Sequence, residues 1–280
     1  MLANSSLAGM IDKFVATKKA KLPVFNSTAL RIQKEIAKEE PDGRLIEKLI
    51  VSDQSLTGEV LRVSNSSFYK GLSQVATVRD AIIRLGIKEV SNIVTLITLQ
   101  HNFQSKVPTV HKIMGKLWRH SVGCAIGASW LAKETGFQTI SHETFIAGLL
   151  HDVGKLFILK AIDDMKTTGE IENSPSDTVM DEVMQNLHAD QGYSLLKHWN
   201  LPEKYCQVAR DHHAQEYDYT DFLLVLVRLA NHICHKMGIG LCEDPSVVLM
   251  ETSEANQLQI SEVDLARLEV RLEDSQVFAG

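Results

Sequence analysis

Apolar residues recur every three or four positions almost wherever this chain shows a pattern. That spacing puts side chains on one face of an α-helix. In NSTALRIQKEIAKEE it is carried by Ala29, Leu30, Ile36 and Ala37, and Pro41-Asp42-Gly43 stops the run. Leu45 and Ile46 then pair with Leu49 and Ile50, and Ser52 or Asp53 is placed to cap a helix over QSLTGEVLRVS. Thr77, with Asp80 three residues on, forms a capping box ahead of AIIRLG, where Gly86 is the expected C-cap. Val90, Ile93, Val94 and Ile97 share a face of the next helix. No segment alternates apolar and polar residues between hairpin turns. The expected fold class is all-α.

The same period runs from about Pro108 to Gly136, where Ile113, Leu117, Cys124, Ala128 and Leu131 form a stripe. His120 lies three residues after Leu117 and four before Cys124, so its side chain points with that stripe. TFIAGLLHD reads as the following helix, ended by Gly154, and residues 167–178 as a loop. Pro202 is expected at the first position of a helix leading to His212. A helix from Asp221 to Met237 carries Leu223, Leu226, Ala230, Ile233 and Met237 on one side, bordered by Asn231. The tail SEVDLARLEVRLEDSQVF reads as a short amphipathic helix with a capping box at its start. No internal repeat is found.

Composition narrows the function classes. The chain has 280 residues, 44% of them hydrophobic and 23% charged, as in ordinary globular proteins. A net charge of -6 argues against nucleic acid as a partner. The longest apolar run, FLLVLV from Phe222, is too short to span a bilayer, and no secretory signal is read at the start. Cys124, Cys206, Cys234 and Cys242 form no CxxC pair and read as reduced thiols of a cytoplasmic protein.

The 11 histidines are not equivalent. His101, His111, His142, His198, His232 and His235 sit among polar neighbours or off any convergent pattern and read as surface or satisfied structural residues. His120, His151, His188, His212 and His213, with Asp152, lie on apolar helical faces or where such helices end. Several buried imidazoles are costly unless each stays neutral and finds a partner, and a shared divalent cation supplies one. Taken alone, His120 reads as a core histidine bonded to a backbone carbonyl; beside a vicinal His151–Asp152 pair it reads as a ligand. Lys155 either meets the negative end of a helix dipole or contacts a phosphate or metal-bound oxyanion. The rings of His212 and His213 cannot share one helical face, so at most one is a direct ligand unless the helix ends there.

RHS at 119 and AGLLHDVGK at 147 resemble the HD superfamily of metal-dependent phosphohydrolases. LPVFNSTALRIQKEI, LIVSDQSLTGEVLRVSNSSFY and VRDAIIRLGIKEVSNIV resemble the HDOD domain, an HD-related output module of bacterial signalling proteins. The likeness runs from Leu22 to Tyr217. It implies His120 as the first ligand, His151 and Asp152 as the second and third, and a fourth position at Asn231, where the family pattern has Asp. In the related HD-GYP phosphodiesterases, a second metal is held by histidines that correspond to His188, His212 and His213. Their Gly-Tyr-Pro stretch is replaced here by AQEYDYTD.

The resemblance implies an N-terminal helical bundle packed on an HD-like bundle. The expected division is a helical extension over 1–21, an HDOD domain over 22–217 (subdomains 22–105 and 106–217), and further helices over 218–280. It also implies a bacterial signalling module, non-catalytic, acting through other signalling proteins. The alternative is an active phosphohydrolase with catalytic roles for Asp152 and Lys155. The expected cofactor is Fe, Mn, Mg or Zn, or none; a nucleotide or phosphate ligand and a homodimer are further expectations.

Overall fold

Short polar caps set where the first helices begin. In the computed structural model, which describes residues 7–16, 23–69, 71, 74–172 and 175–275, Asn26 accepts from the Thr28 and Ala29 amides and opens α2 (Ser27–Ile36). Asp42 opens α3 (Gly43–Val51) and Asp53 opens α4 (Gln54–Ser64) in the same way. The Thr77–Asp80 capping box is complete at the start of α5 (Val78–Leu85). Gly86, at φ +86°, then turns the chain into α6 (Ile87–Gln100). No strand occurs among the described residues, and the all-α expectation holds. No helix among them is long and apolar enough to cross a membrane. Parts of the expected 1–21 extension and the last five residues of the tail lie outside the described residues; α1 (Leu7–Ala16) is described.

The second half is built around α7 (Pro108–Glu134), whose buried face includes Leu117, His120, Cys124, Ala128 and Leu131. Small residues let its neighbours close in. A Cβ on Gly148 of α8 (Ser141–Leu150) would lie 2.7 Å from the Cys124 carbonyl, so the α7–α8 contact is backbone to backbone. On the other side, Gly123 and Gly127 face Cys234 and Ala230 of α12 (Phe222–Lys236).

α9 (Val153–Thr167) follows α8 after only two residues, His151 and Asp152. Here the sequence reading needs correction: Gly154 does not end a helix but lies in the first turn of α9. Its role is tertiary. A Cβ there would collide with the His188 carbonyl and lie 2.6 Å from the Gly192 amide nitrogen, both on α10 (Asp177–His198). Glycine at 154 is therefore what lets α10 reach Asp152. Pro202 sits one place earlier than expected, as the N-cap of α11 (Glu203–Asp211).

The two halves meet where α6 packs on α8. The indole Nε1–H of Trp199, just past α10, donates to the Pro23 carbonyl at 2.8 Å and ties the segment before α2 to this seam. α13 (Ser253–Leu258) and α14 (Glu262–Ser275) complete the chain; α14 packs on α7, and Ser261 caps it through the Asp264 amide at 3.2 Å.

Candidate metal centre

Five helices deliver their ends or buried faces to one point. α7 brings His120, the α8–α9 junction brings His151 and Asp152, and α9 brings Lys155. α10 brings His188, and the end of α11 brings His212. All six are at most 4% exposed.

Each of the four histidines is oriented by the same device. The Nδ1–H of His120 donates to the Ile239 carbonyl at 3.0 Å and that of His151 to Gly148 at 2.7 Å. Those of His188 and His212 donate to Met184 at 2.7 Å and Ala209 at 3.0 Å. A carbonyl only accepts, so Nδ1 carries the proton in every ring. Nε2 is left as a bare lone pair in the neutral imidazole. Burial keeps the rings neutral: it pushes His120 and His212 down to about 4 and His151 to about 3, and it lowers His188.

The four lone pairs converge on Asp152 and divide between its oxygens. Oδ2 lies 3.5 Å from His120 Nε2 and 3.6 Å from His151 Nε2. Oδ1 lies 3.6 Å from His188 Nε2 and 3.4 Å from His212 Nε2. Burial alone would raise this carboxyl; the Lys155 ammonium and the polarised imidazoles hold it well below the ordinary range. Lys155 Nζ donates to Oδ2 at 2.7 Å, whereas Oδ1 and His151 Nε2 have no hydrogen-bond partner. The two halves therefore differ. The Oδ2 side already contains a positive charge. The Oδ1 side contains only electron pairs, and two of them, on His188 and His212, face each other across 3.3 Å.

The remaining candidates fall into place less evenly. α11 ends at Asp211, so the doublet leaves the helix and both rings approach the site. His213 is exposed but joins Asp152, His188 and His212, with ligand atoms within 4.8 Å of one another. Asn231 is buried on α12 yet makes no hydrogen bond to the cluster.

Two contributors escaped the sequence reading. His235, one turn beyond Asn231, stacks on the His120 ring with centroids 5.2 Å apart; its spacing of four from Asn231 was the available signal. Arg228 on α12 donates through Nη1 to the His212 and Ala214 carbonyls, at 2.9 and 3.0 Å, and through Nε to the buried Glu254 at 2.6 Å. It fixes the turn that presents His212 and His213.

The HDOD domain family model matches residues 22–215. An HDOD domain protein of unknown function from Geobacter sulfurreducens superposes with a TM-score of 0.74 at 23% identity, covering 97% of this chain and 95% of that one. A proposed metal-dependent phosphohydrolase from Shewanella amazonensis gives a TM-score of 0.76 at 18% identity, with 98% of each chain covered. At these identities the likeness is one of fold. An uncharacterized protein of Treponema pallidum is 29% identical over 198 residues, which are 69% of this chain and 37% of that protein's length.

Proposed function

The chain belongs to the HDOD domain family, and from that premise we propose that it is a signalling module whose histidine–aspartate centre holds a divalent metal without turning over a substrate. The space at the centre carries this reading. The cavity on the Lys155 side of the centre, bordered by Leu117, His120, Asp152, Lys155 and Leu241, measures about 10 Å³. That is room for one water or one ion and far too little for a phosphate ester.

The donor set suits an ion on the other side, at Oδ1, where the histidines do not border that cavity. Asp152, His188, His212 and His213 offer one carboxylate oxygen and three imidazole nitrogens, a set that favours Zn, Fe or Mn over Mg. A bound ion would supply Lewis acidity there. On the Oδ2 side the Lys155 ammonium already compensates the carboxylate. A second ion gains little in that half. Output passes through contacts between the helical surface and other signalling proteins of a bacterial cytoplasm.

The retained ligand geometry favours one other reading, an active metal-dependent phosphohydrolase. It requires the segment from Gly238 to Cys242, which bears Ile239 and Leu241 against the centre, to move away. The chain loaded with Mn²⁺ or Zn²⁺ and assayed on p-nitrophenyl phosphate and cyclic di-GMP separates the two. No turnover above the level of His151→Ala and Asp152→Ala is expected. Turnover abolished by both substitutions would establish the enzyme instead.

A further inference from the structure

A cavity of about 290 Å³ opens on the opposite face of α8, where α2, the start of α8 and the start of α11 meet. Phe25, Leu30, Ile36, Ile146, Leu201 and Tyr205 give it apolar walls with two aromatic rings. Polar groups with unmet needs share this lining.

His142 is 4% exposed. The Gln33 amide nitrogen donates to Ser91 Oγ at 3.1 Å and Thr95 Oγ1 at 2.9 Å, which leaves Gln33 Oε1 to accept from His142 Nε2 at 3.0 Å. His142 Nδ1 then makes no hydrogen bond of good geometry, although the Lys88 backbone lies near enough to the ring to favour its protonated form. The next residue, Glu143, also lines the cavity and has a buried Oε2 without a partner. Buried acceptors left unpaired are rare, and two on neighbouring residues of one cavity call for a donor.

The charge around them is positive. Lys34, Lys88 and Lys204 line the same cavity. Lys204 reaches Glu143 Oε1 only at 3.8 Å, and no carboxylate among the described residues pairs with Lys34 or Lys88. Both α8 and α11 point their N-termini here, and neither has a side-chain cap.

We infer that this cavity is a binding site for a small aromatic anion that carries an N–H or O–H donor. The walls take the ring, the acceptors of His142 and Glu143 take the donor, and the lysines with the two helix starts take the charge. The location gives such a ligand reach. His151 caps the end of α8 and His212 the end of α11, so both helices run from this cavity to the histidine–aspartate centre.

A fluorescence titration of the full chain with 1-anilinonaphthalene-8-sulfonate tests the site, since that probe combines a flat apolar body, an N–H and one negative charge. Saturable binding with a Kd on the order of 10 μM is expected. Ala37→Trp, which fills the mouth from an exposed position, should weaken it at least about tenfold. Lys88→Glu, also at an exposed position, should weaken it roughly three- to tenfold, and added salt should reduce that difference. 4-Hydroxybenzoate, which has ring, charge and O–H together, should displace the probe, whereas phenol and inorganic phosphate at the same concentration should not. Absence of saturable binding, equal affinity in Ala37→Trp, or equal affinity in Lys88→Glu would each overturn the assignment. Melting curves matching wild type certify that both variants are folded. The titration needs no metal, so its outcome is independent of the metal centre.

Discussion

The Nε2 atoms of His188 and His212 face each other across 3.3 Å, and neither carries a proton, because each ring has given its Nδ1–H to a backbone carbonyl. Asp152 Oδ1 lies beside both at 3.6 and 3.4 Å. Two lone pairs and an anion buried together repel one another unless a cation or a hydrogen-bond donor sits among them. This relationship makes the cluster compatible with a bound metal ion.

Stability should fall steeply on mild acidification. Burial lowers His120 and His212 to about 4 and His151 to about 3 from an ordinary 6.5, and lowers His188 in the same direction. Below pH 6.5 the unfolded chain takes up protons on these rings that the folded chain refuses. Its proton count is then the larger, so stability rises with pH across this window and is lost as pH drops from 6.5 toward 4. The depressed carboxyl of Asp152 adds to the loss only below its own ordinary 3.8. Thermal melts of the metal-free chain between pH 7.5 and 4.5 should show a Tm that holds above 6.5 and then declines. A flat Tm down to pH 5 would contradict neutral buried rings.

Arg228 should matter to the metal although it touches none. Its fork spans the His212 and Ala214 carbonyls and Glu254, and a lysine cannot reproduce that geometry. Arg228→Lys should keep the fold and weaken Zn²⁺ binding by roughly ten- to a hundredfold, the usual effect of disturbing a ligand's support. Calorimetric titration measures it. Unchanged affinity would show that the His212 turn holds itself.

Gly154→Ala should be severely destabilising, on the order of 2–3 kcal/mol, because the added methyl meets backbone and not a movable side chain. Gly58→Ala, at an exposed position of α4 with nothing within 4 Å of the new Cβ, should instead stabilise by up to about 1 kcal/mol through helix propensity. Urea unfolding of the pair checks both. Equal effects would mean that the close approach of α9 and α10 relaxes freely.

Much of this is legible in the sequence. The 3.6-residue period decided the fold class, and Asp53, Gly86 and the Thr77–Asp80 box are where the sequence puts them, since caps are local chemistry. His120, His151, Asp152, His188 and His212 do converge. What failed was information carried by distant neighbours. Gly154 looked like a helix stop because nothing local reveals that α10 crosses over it. Nothing in the sequence around Arg228 points to its role, because its partners lie up to 26 positions away. His142 and His235 have polar sequence neighbours, and only tertiary packing places them on a cavity and on the His120 ring.

Lys155 separates the two halves of the centre. Lys155→Met leaves Asp152 buried without its ammonium, so the metal-free chain should lose roughly 3 kcal/mol or more. Added Mn²⁺ or Zn²⁺ should restore part of that loss, because the Oδ2 side then accepts the cation it lacks. Melting curves with and without metal read both effects. A substitution without effect on metal-free stability would contradict the ion pair.

The most direct measurement is metal content by mass spectrometry on freshly purified wild type, His120→Ala, His188→Ala and His212→Ala. With the ion on the Oδ1 side, wild type should carry about one ion per chain, His120→Ala should retain it, and His188→Ala and His212→Ala should both lose it. Metal-free wild type that also fails to take up Zn²⁺ or Mn²⁺, or metal lost from His120→Ala but kept in His212→Ala, would contradict the account.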